Sequence, residues 1–95
     1  MTAERIAQIE HELHQALAPE RIEVIDDSAR HIGHAGARDG RGHFKVLIVA
    51  EAFRGQAPLA RHRQVYAALA DLMQTDIHAL NIKALTPDEW HATAA

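Results

Sequence analysis

Eight of the 95 residues are histidine and none is cysteine. Neutral imidazole ligates zinc, copper, nickel and iron, so the reachable histidines are the first residues to weigh. His31 and His34 lie three apart in Ser28 to Gly42, a stretch with four glycines and almost no apolar content. His78 opens a later run of alternating apolar residues. Such a set is incomplete by itself, since zinc takes four ligands and an iron-sulfur cluster usually takes thiolates. A second protein that brings thiolates would complete it. Read without a function, the same residues are exposed loop histidines that ligate nothing. Asp26 and Asp27, beside the loop, could orient an imidazole by hydrogen bonding, or simply end a strand.

Phosphate is the second chemistry the residues suggest. The net charge of -3 conceals seven acidic and two basic residues in Met1 to Asp27, two acidic and seven basic in Ser28 to Arg63, and four acidic and one basic in the remainder. The middle third is therefore locally +5. Arg54, Arg61 and Arg63 are the members of this set placed around a turn and a helix start, where they could meet phosphate or an acidic protein; a solvated loop balancing acidic ends reads equally well. One Trp, one Tyr and two Phe leave few platforms for stacking bases. Gly33 to Gly36 matches Gly-x-x-Gly by letter but falls between strands, whereas the clamp loop of a KH domain joins two helices. Covalent catalysis has little to work with: Ser28 is the only serine, and no nucleophile elbow, phosphate-binding glycine loop or HExxH helix occurs. An enzyme is not expected.

The elements that must position these residues read clearly. Ile6, Ile9, Leu13, Ala16 and Leu17 recur at helical spacing from Thr2 up to Pro19, with His11 and His14 off the stripe. Arg21 to Asp27 suits a short strand, with Ile22 and Val24 on one face and Glu23 and Ile25 on the other. The long loop follows and His43 closes it; loops of this length in a compact domain are usually functional or mobile. Phe44 to Ala50 is the central strand, Phe44, Val46 and Ile48 facing one way and Lys45, Leu47 and Val49 the other. Arg54-Gly55-Gln56 and Pro58 turn the chain into one long helix, whose apolar face carries His62, Val65, Leu69, Leu72 and Met73, with Tyr66 beside it. His62 on that face suits hydrogen-bonded packing better than ligation.

Ile77 to Ala84 reads as a third strand. His78 shares parity with Leu80 and Ile82, which places its ring at the rim of the core. Thr86-Pro87-Asp88-Glu89 is a helix start with Thr86 as N-cap and Glu89 at the capping-box position, and Trp90 should dock that helix. Strands one and two can pair antiparallel and strand three, after a helical crossover, parallel. The expected class is α+β: a three-stranded mixed sheet with helices packed on one face and a short C-terminal helix, residues 1–95 forming one domain. No apolar run is long enough to span a bilayer and no basic-then-apolar leader opens the chain, so a soluble, cytoplasmic protein is expected.

The stretches HFKVLIVAEAFRGQAPLARHRQVYAALADLM and IHALNIKALTPDEW resemble the BolA family over nearly the whole chain from the first helix to Trp90. The resemblance rests on a His-Phe-Lys-Val strand, Phe-x-Gly, Arg-His-Arg, His-Ala-Leu and a closing acidic residue with Trp. It implies an αββαβ fold similar to class II KH domains. It also implies partnership with a monothiol glutaredoxin and a shared [2Fe-2S] cluster, to which the glutaredoxin and glutathione supply sulfur. The chain's own ligands would be His78, from His-Ala-Leu, and His31 or His34 from the loop. Members of the family are also described as DNA-binding transcriptional regulators of stress response and cell morphology, for which Arg54, Arg61 and Arg63 are the candidate contacts. The turn before the second helix, Phe53 to Pro58, is no KH clamp, which weakens single-stranded RNA binding more than duplex DNA binding. On its own the chain is expected to be a monomer or a weak homodimer.

Overall fold

A computed structural model describes residues 2–28 and 42–94. The order is α1 (Thr2–Leu17), β1 (Arg21–Asp26), β2 (Gly42–Val49), a 3-10 turn (Glu51–Phe53), α2 (Pro58–Ala68), α3 (Ala70–Thr75), β3 (Ile77–Leu85) and α4 (Pro87–Ala94). The sheet order is β1-β2-β3, with β1 antiparallel and β3 parallel to β2. This is the α+β layout with a three-stranded mixed sheet that the alternation and the crossover length imply.

The core lies between one sheet face and the helices. Ile9 and Leu13 of α1, Val65 of α2 and Leu69 at the junction of α2 and α3 are fully buried against Val24, Phe44, Val46 and Ile48. Burying side chains of this size contributes about 1.5 to 3 kcal/mol each, so this face fixes which way each strand looks. The other face carries Glu23, Ile25, Lys45, Leu47, Asn81 and Lys83 around a shallow depression. Of the α1 stripe, Ala16 is exposed, while Ile6 and Leu17 pack at the core's margin.

Two boundaries differ from expectation. The long helix after Pro58 is two segments, because Leu69 leaves helical geometry at φ -104° and ψ 14°. Its N–H is shared between the carbonyls of Val65 (3.1 Å) and Tyr66 (3.2 Å), and Met73 N–H still reaches the Leu69 carbonyl at 2.9 Å. The apolar face thus runs on across the break, which is why spacing alone shows one helix. The second difference is at the start of β3. Gly42 faces Ile77 but His43 faces Ala79, so the register shifts by one residue and His78 is the extra one. Ile77 is fully buried, as Leu80 and Ile82 partly are, whereas His78 is exposed. Simple alternation puts His78 on the core side; the register shift inverts parity at that point and moves it out.

Two glycines are required by their surroundings. Gly55 turns the chain into α2 at φ 77°, a left-handed conformation that costs a side-chain-bearing residue energy. A Cβ on Gly42 would come within 2.7 Å of the Phe44 ring and 3.1 Å of Ser28 Oγ.

Candidate functional site

The sheet has two chemically distinct ends. At one end β1 finishes at Asp26 while β2 and β3 begin, so Ser28, His43 and His78 converge. Asp26 Oδ1 accepts the Ser28 N–H at 2.7 Å, a short polar turn that ends the strand. Ser28 Oγ in turn accepts the His43 N–H at 3.0 Å, and the Asp27 N–H donates to the His43 carbonyl at 2.7 Å. His43 is therefore held on both sides of its backbone, and only 9% of it is exposed. Its ring centroid lies 5.1 Å from that of His78, with the ring planes inclined by 52°. Gly42 N–H donates to the Asp76 carbonyl at 2.9 Å, fixing the end of the loop beside the start of β3.

Of the three histidines singled out from sequence, His78 is accessible here, while His31 and His34 lie outside the described residues. The chain leaves the described region at Ser28 and re-enters at Gly42, both at this end of the sheet. Sequence reasoning passed over His43, treating it as the residue that closes the loop. Its signal was available: it precedes Phe44 and so shares a face with Lys45, and parallel pairing brings it to the start of β3. Among the described residues no three histidine or carboxylate side chains gather into a metal-binding group.

At the opposite end of the sheet the arginines are engaged. Arg61, with its side chain 12% exposed, donates to the Gln56 carbonyl (2.9 Å), the Ala84 carbonyl (3.1 Å) and both carboxylate oxygens of Glu89 (2.6 and 3.2 Å). Glu89 closes a capping box: Thr86 N–H donates to Glu89 Oε1 at 2.8 Å and Glu89 N–H donates to Thr86 Oγ1 at 3.2 Å. Hydrogen bonds from Arg61 first, then from the Thr86 backbone, hold the Glu89 carboxyl down at about 2. Arg54 forms a two-point pair with Glu51 and reaches Asp88 at 3.0 Å. The pair holds Glu51 below and Arg54 above their ordinary values. Arg63 points outward and is exposed. The three arginines thus do not form one free cationic patch: two tie the turn, β3 and α4 together. Trp90 docks α4 as expected, with the Arg21 guanidinium 4.9 Å from its ring.

Comparison with known proteins agrees with this architecture. Residues 13–89 match the family described as BolA-like protein. BolA-like protein 1 of Homo sapiens is 43% identical over 84 residues, covering 88% of this chain and 59% of that protein. The chain thus spans about 59% of the length of the mammalian relatives it matches. The DNA-binding transcriptional regulator BolA of Escherichia coli (strain K12) is 41% identical over 83 residues, 87% of this chain and 76% of that one. The solution structure of BolA1 from Mus musculus superimposes with a TM-score of 0.78 at 39% identity, covering 94% of this chain and 70% of that one. With the family match over residues 13–89, relatives above 40% identity and this superposition, the chain belongs to the BolA-like family.

Proposed function

We propose that this chain is a non-enzymatic partner of a monothiol glutaredoxin and co-ligates a [2Fe-2S] cluster through His78 and His31 or His34, for iron-sulfur trafficking or for sensing iron and redox state. The observation that carries the reading is the exposure of His78 by the register shift, at the end of the sheet where Ser28 and Gly42 also lie. The donor set fits: this side offers imidazole and, lacking cysteine, must take its thiolates from the glutaredoxin and glutathione. Imidazole in place of thiolate lessens negative charge at a cluster and raises its potential. The chain's part is to present an imidazole ring from a strand of the sheet.

The test is visible absorption and circular dichroism of an anaerobic mixture of the chain with a cluster-loaded monothiol glutaredoxin and glutathione. A new spectrum that His78→Ala abolishes is expected. An unchanged spectrum, with no complex formed, overturns the reading.

A second reading, a DNA-binding regulator, is favoured by the names of the Escherichia coli and Vibrio cholerae relatives. In this chain Arg63 would carry most of the phosphate contact, since Arg54 and Arg61 are already paired with carboxylates. Salt-dependent binding to duplex DNA, compared between the chain and Arg63→Ala, decides it.

A further inference from the structure

His43 has no part in the cluster reading, yet its setting is that of a ligand. Its backbone is anchored by Ser28 and Asp27, the residue is nine-tenths buried, and its ring centroid lies 5.1 Å from that of exposed His78. Phe44 and Ser28 leave no room for a side chain on the preceding residue, Gly42. Two imidazoles that share one tetrahedral ion, each bonded at about 2.1 Å, put their ring centroids roughly 5 Å apart on inclined planes. The spacing and the 52° inclination of His43 and His78 suit that arrangement, as they also suit plain tilted ring packing.

We propose that His43 and His78 form a two-imidazole site for a single late first-row divalent ion, such as zinc, nickel or copper, that requires neither residues 29–41 nor a partner protein. The two rings have different roles. His43 is the fixed donor, and exposed His78 turns to close on the ion. No third histidine or carboxylate joins them among the described residues, so the remaining positions fall to water or to a donor carried by another molecule. Affinity should follow the usual order, with copper above nickel and zinc. The proposal shares His78 with the cluster reading but does not rest on it; a lone ion and a shared cluster would compete for the same ring.

Zinc alone, added to the full chain without glutaredoxin, provides the test. The double variant His31→Ala/His34→Ala removes the loop imidazoles, and the nitrogen resonances of the six remaining histidines are followed by NMR. His43 and His78 are expected to shift together and saturate at one equivalent. Adding His43→Gln should weaken the zinc response of His78 by roughly tenfold or more, since loss of a mere outer partner of a ligand already costs that much. A His78 response unaccompanied by His43, or a zinc response confined to His11 and His14, overturns the proposal. Should His43→Gln fail to fold, the paired shifts in the double variant decide the matter without it. Failure of cluster sharing with glutaredoxin would leave a positive zinc result standing.

Discussion

His78 and Glu89 show how much a single side chain's surroundings decide. His78 sits outside the core packing, so His78→Ala is expected to change the unfolding midpoint in urea by less than about 0.5 kcal/mol equivalent; a larger loss would mean that its ring supports the fold. Glu89 makes a prediction in pH. Its folded value of about 2 lies below the ordinary 4.5, so its stabilising contribution is complete above 4.5 and drains away as pH falls toward 2. Thermal melts should show a falling midpoint across that window, and Glu89→Gln should flatten the fall. At this scale the sequence was legible where chemistry is local. Thr86 and Glu89 announce the capping box by identity and spacing. Arg61 does not announce its carboxylate partner, which lies 28 residues away. The placement of His78 was legible only as far as the strand, because a one-residue register shift leaves no mark in an alternating pattern.

At the scale of elements, α4 is the piece whose stability depends on a few polar contacts. It has eight residues, too few to persist as an isolated helix. Thr86→Ala should cost about 1 kcal/mol and expose Trp90, which a red shift in its emission would report. Arg61→Ala removes charge-assisted bonds worth about 2 kcal/mol in total. Arg61→Lys should recover little of that, since a point charge cannot reproduce the fork that joins Glu89 to the Ala84 carbonyl. At the other end of the chain α1 stops at Ala18, which adopts φ 45° ahead of Pro19, a position that glycine usually fills. Ala18→Gly should raise stability by about 0.5 kcal/mol in denaturant melts. Element types and order followed from periodicity, whereas α1 ends at Leu17, two residues before the Pro19 that the sequence marks as its end. The division at Leu69 did not follow from periodicity, because neither proline nor glycine marks it and both segments use the same apolar face.

For the whole molecule, the distance between the two ends of the sheet matters most. β2 runs eight residues, about 26 Å, from the histidine corner to the arginine end. Substitutions at His78 and Arg63 should therefore act independently. His78→Ala should leave any DNA affinity unchanged. Arg63→Ala should leave the cluster spectrum unchanged while reducing the salt slope of DNA binding by about 1. The mixed sheet and its covered face were legible from alternation and connection lengths, whereas the use of Arg54 and Arg61 as internal ties was not, since local charge is blind to the carboxylates folded against it. One further property follows from the sheet's margins. The outward carbonyls of β3 are occupied at Ala84 by Arg61 and at Leu80 by the Tyr66 hydroxyl, 3.4 Å away. The other margin, β1, pairs with no further strand among the described residues. Side-chain donors at the Ala84 and Leu80 carbonyls make strand addition along β3 harder, because an incoming strand would have to displace them. A strand laid along β3 would also have to break the tie that Arg61 makes between β3 and α4.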